Sequence, residues 1–153
     1  MMKEGDVVVI DLGAVYDGYC SDMTRTMYIG SQPDEKLLEV HETVLKAKQS
    51  AESSATIGTK VSTLYEKAFE EIAAKGYGDY FIHSLGHGVG IEIHEPPRIY
   101  KNVNEILSEG MVITIEPGIY LPGRFGVRIE DTVLVKRDKI ELLTSSSYDL
   151  LNR

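Results

Sequence analysis

Two ten-residue stretches near opposite ends of this chain repeat each other without a gap. Glu4-Gly5-Asp6-Val7-Val8-Val9-Ile10-Asp11-Leu12-Gly13 aligns with Glu109-Gly110-Met111-Val112-Ile113-Thr114-Ile115-Glu116-Pro117-Gly118. The two share Glu, Gly, Val, Ile and the closing Gly, and a carboxylate ends each apolar run. Runs of this β-branched kind read as buried strands. A further strand follows each copy and carries another acid, Asp22 in the first and Glu130 in the second. Two similar strand pairs, each presenting two carboxylates, are what a pseudo-two-fold arrangement around one site requires. Chance similarity between two strands is the weaker reading, because the gapless match keeps both the glycines and the acids.

The spacing between the copies predicts the remaining elements. Val7–Ile10 and Asp22–Ile29 are expected strands, joined through a turn at Asp17-Gly18. Leu37, Val40, Val44, Ala47 and Ala51 recur at helical spacing from Pro33 to about Ser54. Leu64, Ala68 and Ile72 mark a second helix over Ser62–Lys75, stopped by Gly76. Strands are then expected at Phe81–Leu85, Gly90–His94, Met111–Ile115, Val127–Val135 and Lys139–Leu143. This order predicts an α+β fold, with helices on one face of a curved, mostly antiparallel sheet. Two helices and a His-bearing strand precede the second copy, whereas almost nothing precedes the first. The expectation is that the first repeat is truncated and lacks the helices and opening strand of the second. A strand edge and an apolar face left open would favour self-association as a homodimer.

Composition excludes several classes of partner. A net charge of −8 with no basic stripe gives no footprint for nucleic acid. Lys3, Glu4 and Asp6 interrupt any secretory apolar region, and no run approaches membrane-spanning length. The single Cys20 cannot form an internal disulfide, which fits a cytoplasmic protein.

Asp11, Asp22, His87, Glu116 and Glu130 form the candidate site. Hard divalent cations take carboxylate oxygens, and one imidazole adds affinity at one metal. Taken singly, each acid would read as a solvated loop carboxylate. As two repeat-related pairs beside apolar strands, they need compensation that metal ions supply directly.

Five ordered motifs then resemble a known family. Ile10-Asp11-Leu12-Gly13, Tyr19–Thr26, His83–Gly90, Ile115–Tyr120 and Gly126–Thr132 are similar to the motifs of prolidases (Xaa-Pro dipeptidases) and aminopeptidases P. Those enzymes share the pita-bread fold with methionine aminopeptidase, and the resemblance implies that residues 1–153 form the C-terminal part of such a metallopeptidase catalytic domain, without its N-terminal domain and the start of the first repeat. The resemblance implies dinuclear-metal-dependent hydrolysis of Xaa-Pro dipeptides by a metal-bridging hydroxide. It implies Asp11 on one metal, His87 and Glu116 on the other, and Asp22 and Glu130 bridging them. Mn²⁺ or Co²⁺ is expected, with Fe²⁺ or Zn²⁺ as alternatives. Glu116 would also shuttle the proton, and His94 would hydrogen-bond the substrate near the scissile bond. Arg98 would hold the substrate carboxylate, and Tyr120 and Arg128 would orient the ligand carboxylates.

Other residues receive plainer readings. His41 is expected to pack on its helix, His83 to be structural or to lie outside the ligand set, and Cys20 to be a small strand-turn residue. The Gly after Glu116-Pro117, and Val127-Arg128-Ile129 before Glu130, favour the prolidase and aminopeptidase P branch over methionine aminopeptidase. Three alternatives stand: aminopeptidase P or methionine aminopeptidase activity, an inactive fragment, and a metal-free binding module of the same fold.

Overall fold

The first repeat folds as an antiparallel ladder that continues into a small hairpin. In a computed structural model describing residues 1–150, β1 (Val7–Leu12) leads to β2 (Val15–Tyr16), β3 (Tyr19–Cys20) and β4 (Met23–Tyr28). β1 pairs with β4 from Val7 opposite Tyr28 to Leu12 opposite Met23, and β2 pairs with β3. Asp17 and Gly18 make the turn between β2 and β3 with positive φ of 49° and 85°, the left-handed geometry tight hairpins need.

Two helices follow. Asp34 caps α1 (Glu35–Ser54) by accepting from the Leu37 N–H at 2.7 Å, so the helix starts two residues after Pro33. The α2 helix spans Val61–Ala74. Leu37, Val40, Val44, Ala47 and Ala51 of α1 are buried, as are Leu64, Ala68 and Ile72 of α2. Each large aliphatic side chain removed from water there contributes roughly 1.5–3 kcal/mol.

The chain then builds β5 (Gly86–Gly88), β6 (Glu95–Ile99), β7 (Val112–Ile115), β8 (Gly118–Leu121), β9 (Phe125–Arg128), β10 (Asp131–Val135) and β11 (Ile140–Leu142). Five of these form a sheet in the order β11-β10-β7-β5-β6, and β8 pairs with β9. Three expected strands are corrected. Phe81–Leu85 is irregular, and the strand starts at Gly86, where a Cβ would lie 2.0 Å from the Thr114 carbonyl oxygen. Gly90–His94 is a bent loop, and the strand runs instead over Glu95–Ile99 with both prolines inside it. An edge strand tolerates proline because it need not donate on its open side. Val127–Val135 breaks at Ile129-Glu130, since β9 pairs with β8 and β10 with β7.

The register makes the pseudo-two-fold relation explicit. Ile10 pairs with Arg25 and Val9 with Thr26, and in the second copy Ile115 pairs with Asp131 and Thr114 with Thr132. Val15 opposite Cys20 corresponds to Tyr120 opposite Gly126. The two copies meet where β4 and β10 approach. Thr26 Oγ1 donates to the Arg128 carbonyl at 2.9 Å, and its counterpart Thr132 Oγ1 donates to the Asp22 carbonyl at 2.7 Å. Asp22 therefore corresponds to Arg128, and Glu130 to Thr24. The expectation that Asp22 and Glu130 are equivalent is corrected: they occupy different ladder positions and reach one site because both lie beside the pseudo-axis.

Candidate metal centre

Asp22 precedes β4, and Glu130 sits in the break between β9 and β10, so each lies just outside a strand whose buried positions include polar side chains, Thr24, Arg25 and Thr26 in β4 and Asp131 and Thr132 in β10. Asp22 and Glu130 are 8% and 2% exposed. His87 projects from β5, where Gly88 lets the chain pass so close to β6 that a Cβ would sit 2.3 Å from the Pro96 carbonyl oxygen. Ligand-type atoms of Asp22, His87 and Glu130 all lie within 4.8 Å of one another. Glu116 joins them, its Oε1 3.3 Å from His87 Nε2, while Asp22 Oδ2 stands 3.7 Å from the same nitrogen.

The His87 imidazole is oriented for ligation. Its Nδ1–H donates to the Gly88 carbonyl at 2.9 Å, which leaves Nε2 facing the carboxylates. Burial works against a charge on His87, but hydrogen bonding to Glu116 and Gly88 and the nearby acids outweigh it, and its pKa is raised.

The carboxylates are under-compensated. Burial, followed by the charge on Asp11, raises the pKa of Asp22. Burial and the charge on Glu116 push Glu130 up to about 8, although Thr24 Oγ1 donates to its Oε2 at 2.6 Å. Glu130 Oε1 is buried with no hydrogen-bond partner. A buried carboxylate oxygen left unpaired among three other acids is costly, and a divalent cation is the kind of partner that would satisfy it. The donor set, carboxylate oxygens with one imidazole nitrogen, fits such an ion.

Asp11 is the outlying member. It is exposed, and its Oδ2 accepts from Arg128 Nη2. Arg128 also donates from Nε to Thr24 Oγ1 at 3.2 Å and from Nη1 to Tyr120 Oη at 3.4 Å. Tyr120 in turn lies 3.0 Å from His83 Nε2, while His83 Nδ1–H donates to the Ser84 carbonyl at 2.8 Å. That tautomer makes Tyr120 the donor to His83, and burial lowers the His83 pKa, in keeping with a neutral ring. A chain His83–Tyr120–Arg128 thus holds Asp11 beside the acids.

A cleft of about 760 Å³ opens over these groups, walled by His83, His87, His94, Arg98, Glu116 and Arg128. That volume lies within the roughly 300–1,000 Å³ of small-ligand sites. The His94 ring centroid is 4.2 Å from that of His87, and His94 is carried by the loop before β6. Arg98 stands directly across the β5–β6 ladder from His87, its guanidinium carbon 5.0 Å from the Tyr100 ring centroid. Of the expected site, His87, His94, Arg98, Glu116 and Arg128 line the cleft, Asp22 and Glu130 group with His87, and Asp11 and Tyr120 connect to it through Arg128. His41 packs half-buried on α1, and Cys20 Sγ lies 3.4 Å from the Ile91 carbonyl in the loop leading to His94.

A buried ionic cluster behind the site was not foreseen. Lys48 Nζ and Arg25 Nη2 approach the two oxygens of Asp131 at 2.6 and 2.7 Å, and Glu52, Thr144 and Tyr148 complete the set. The signal available was Lys48 on the apolar stripe of α1, one residue after Ala47.

An α+β pita-bread architecture with an acid-and-imidazole cluster at its pseudo-axis defines a metallopeptidase scaffold. The model of metallopeptidase family M24 matches residues 1–137. The chain belongs to that family. It is 55% identical over 150 residues to the Xaa-Pro dipeptidase of Pyrococcus furiosus, covering 98% of this chain and 43% of that protein. The Pyrococcus horikoshii prolidase superimposes with a TM-score of 0.94 at 52% identity, over 97% of this chain and 43% of its own. The X-Pro aminopeptidase of Thermotoga maritima gives 0.94 at 45% identity, over 98% of this chain and 43% of its own. The chain thus spans less than half the length of these relatives.

Proposed function

We propose that these residues form the dinuclear metal site of an Xaa-Pro dipeptidase, with Asp11, Asp22, His87, Glu116 and Glu130 as ligands. The observation that carries the reading is the buried Asp22–His87–Glu130 group with its unpartnered Glu130 oxygen. The names of the Pyrococcus relatives support the substrate class. Two divalent cations, Mn²⁺ or Co²⁺ in this reading, would supply Lewis acidity at the scissile carbonyl and acidify the attacking water.

The chain's own groups supply the rest. Glu116 faces the cleft beside His87 and accepts the proton of the attacking water, then delivers it to the departing proline nitrogen. His94, on the cleft wall, donates to the substrate near the scissile bond. Arg98 pairs with the substrate's free carboxylate, which selects dipeptides over longer peptides. Arg128 and Tyr120 hold Asp11 in place.

The 43% coverage of the relatives makes this a reading of the whole protein's activity, to which residues 1–153 contribute one part of the catalytic domain. Homodimerisation in the cytoplasm belongs to the same reading, and the exposed Val15, Tyr16 and Tyr19 of the β2–β3 hairpin support self-association. The X-Pro aminopeptidase likeness supports the alternative specificity.

Calorimetric titration with Mn²⁺, alongside hydrolysis of Gly-Pro and Met-Pro, tests the proposal. Two bound cations and a loss of both binding and hydrolysis in His87→Ala are expected. No Mn²⁺ binding by the unaltered protein overturns it.

A further inference from the structure

Arg25 is the most heavily engaged cation of the described residues, and the proposed mechanism does not use it. It is 8% exposed, and all three of its guanidinium nitrogens donate. Nη1 donates to the carbonyls of Thr24 and Glu130, at 2.9 and 2.5 Å. Nη2 donates to Asp131 Oδ1 at 2.7 Å and to the Ser146 carbonyl at 2.9 Å, and Nε reaches the Ser147 carbonyl at 3.1 Å.

The positions of those two carbonyls matter. Thr24 and Glu130 are pseudo-symmetric counterparts, and they touch twice. The Glu130 N–H donates to the Thr24 carbonyl at 3.0 Å, and Thr24 Oγ1 donates to Glu130 Oε2 at 2.6 Å. One nitrogen of Arg25 therefore fastens together the backbones whose side chains aim the Glu130 carboxylate into the site. Arg25 and Asp131 are themselves counterparts, one opposite Ile10 and the other opposite Ile115, so their ion pair closes across the pseudo-axis. Lys48, 1% exposed, holds the other oxygen of Asp131. Arg25 and Lys48 are balanced by Asp131 and Glu52, so the cluster spends no positive charge on the carboxylates of the cleft.

We infer that Arg25, fixed by Asp131, is a positioning residue for cation binding, setting the backbone of Glu130 so that its carboxylate meets the metal. This rests on the ligand assignment proposed above. A lysine cannot reproduce the role, because an ammonium lacks the planar fork that reaches two carbonyls and a carboxylate together.

The test is the affinity of the intact protein for Mn²⁺, read by calorimetric titration below its melting temperature, for the unaltered protein, Arg25→Lys and Val44→Ala. Val44 is buried in α1 and belongs neither to the ligand set nor to the ion pairs of Arg25, Lys48 and Asp131, so its truncation reports the effect of lost stability. Loss of an outer hydrogen-bonding partner typically weakens metal binding roughly 10–100-fold. Arg25→Lys is expected to weaken Mn²⁺ binding at least tenfold, while Val44→Ala lowers Tm and leaves the affinity unchanged. If Arg25→Lys does not fold, Asp131→Asn in its place should give the same weakening. Equal affinities in Arg25→Lys, or Asp131→Asn, and the unaltered protein overturn the inference. A similar loss in Val44→Ala also overturns it, because stability alone would then account for the effect. Absence of Mn²⁺ binding in the unaltered protein instead removes the ligand assignment beneath it.

Discussion

Glu130→Gln should stabilise the metal-free protein and, in the same molecule, destroy its response to metal. Burial and the charge of Glu116 hold the folded pKa of Glu130 at about 8, against an unfolded value of 4.5. Between those values the folded state keeps a proton that the unfolded state releases, so stability falls as pH rises across the window. At 1.36 kcal/mol per unit, the 3.5-unit gap amounts to about 5 kcal/mol above pH 8 and about 3 kcal/mol at pH 7. Glutamine cannot ionise and carries no such loss. Thr24 Oγ1 can still donate to its carbonyl oxygen. Urea unfolding in EDTA at pH 5, 7 and 8.5 measures the difference directly. Near-equal stabilities at pH 5 and an advantage for Glu130→Gln that widens by several kcal/mol at pH 8.5 are expected. Added Mn²⁺ should reverse the order, because only the carboxylate repays its burial by binding a cation. Parallel pH profiles for the two proteins would refute the reasoning, since Glu130 would then ionise as freely in the fold as outside it.

Three further outcomes follow from the same geometry. Asp131→Ala leaves Lys48 and Arg25 buried without their shared carboxylate and should cost about 3–5 kcal/mol in urea unfolding. Gly86→Ala drives a Cβ to within 2.0 Å of the Thr114 carbonyl oxygen, and the separation of β5 from β7 this demands should lower stability by at least about 1–3 kcal/mol, seen as a fall in Tm. Arg98→Ala should raise KM for Xaa-Pro dipeptides roughly 10–100-fold, as for a lost charged hydrogen bond. It should leave KM for tripeptides nearly unchanged, and equal effects on both would favour aminopeptidase P specificity.

Much of this was legible because repetition and period are properties of sequence. The Glu4–Gly13 and Glu109–Gly118 match gave β1 and β7 and placed Asp11 and Glu116 at corresponding points. The apolar stripes gave α1 and α2 to within two residues at either end. What stayed hidden depends on partners distant in the chain. The β6 strand contains Pro96 and Pro97, and only its place at the sheet edge permits them. The break at Ile129-Glu130 cannot be read from the alternation of Val127–Val135, because it arises from the Glu130 N–H turning to Thr24 rather than to a strand in its own ladder. Lys48 reads as a solvated residue until Asp131, brought in by β10, is set against it.

The two sides of β4 and β10 explain why one buried charged group is suited to a metal and another is not. Successive residues of a strand face opposite ways, so Thr24 and Glu130 turn to the cleft while Arg25 and Asp131 turn to the core behind it. On the core side, each charge meets its opposite within 2.7 Å. Burial works against ionisation of Asp131, yet hydrogen bonds from Lys48, Thr144 and Tyr148 hold its pKa below the usual carboxylate range. That side is electrically complete and takes nothing further. On the cleft side, Asp22, Glu116 and Glu130 share one imidazole, and burial drives Asp22 and Glu130 toward the neutral form. The same ladder thus places a satisfied ion network next to an unsatisfied one. Only the unsatisfied face gains by admitting a cation, and the satisfied face braces the backbone that carries Glu130 through Arg25.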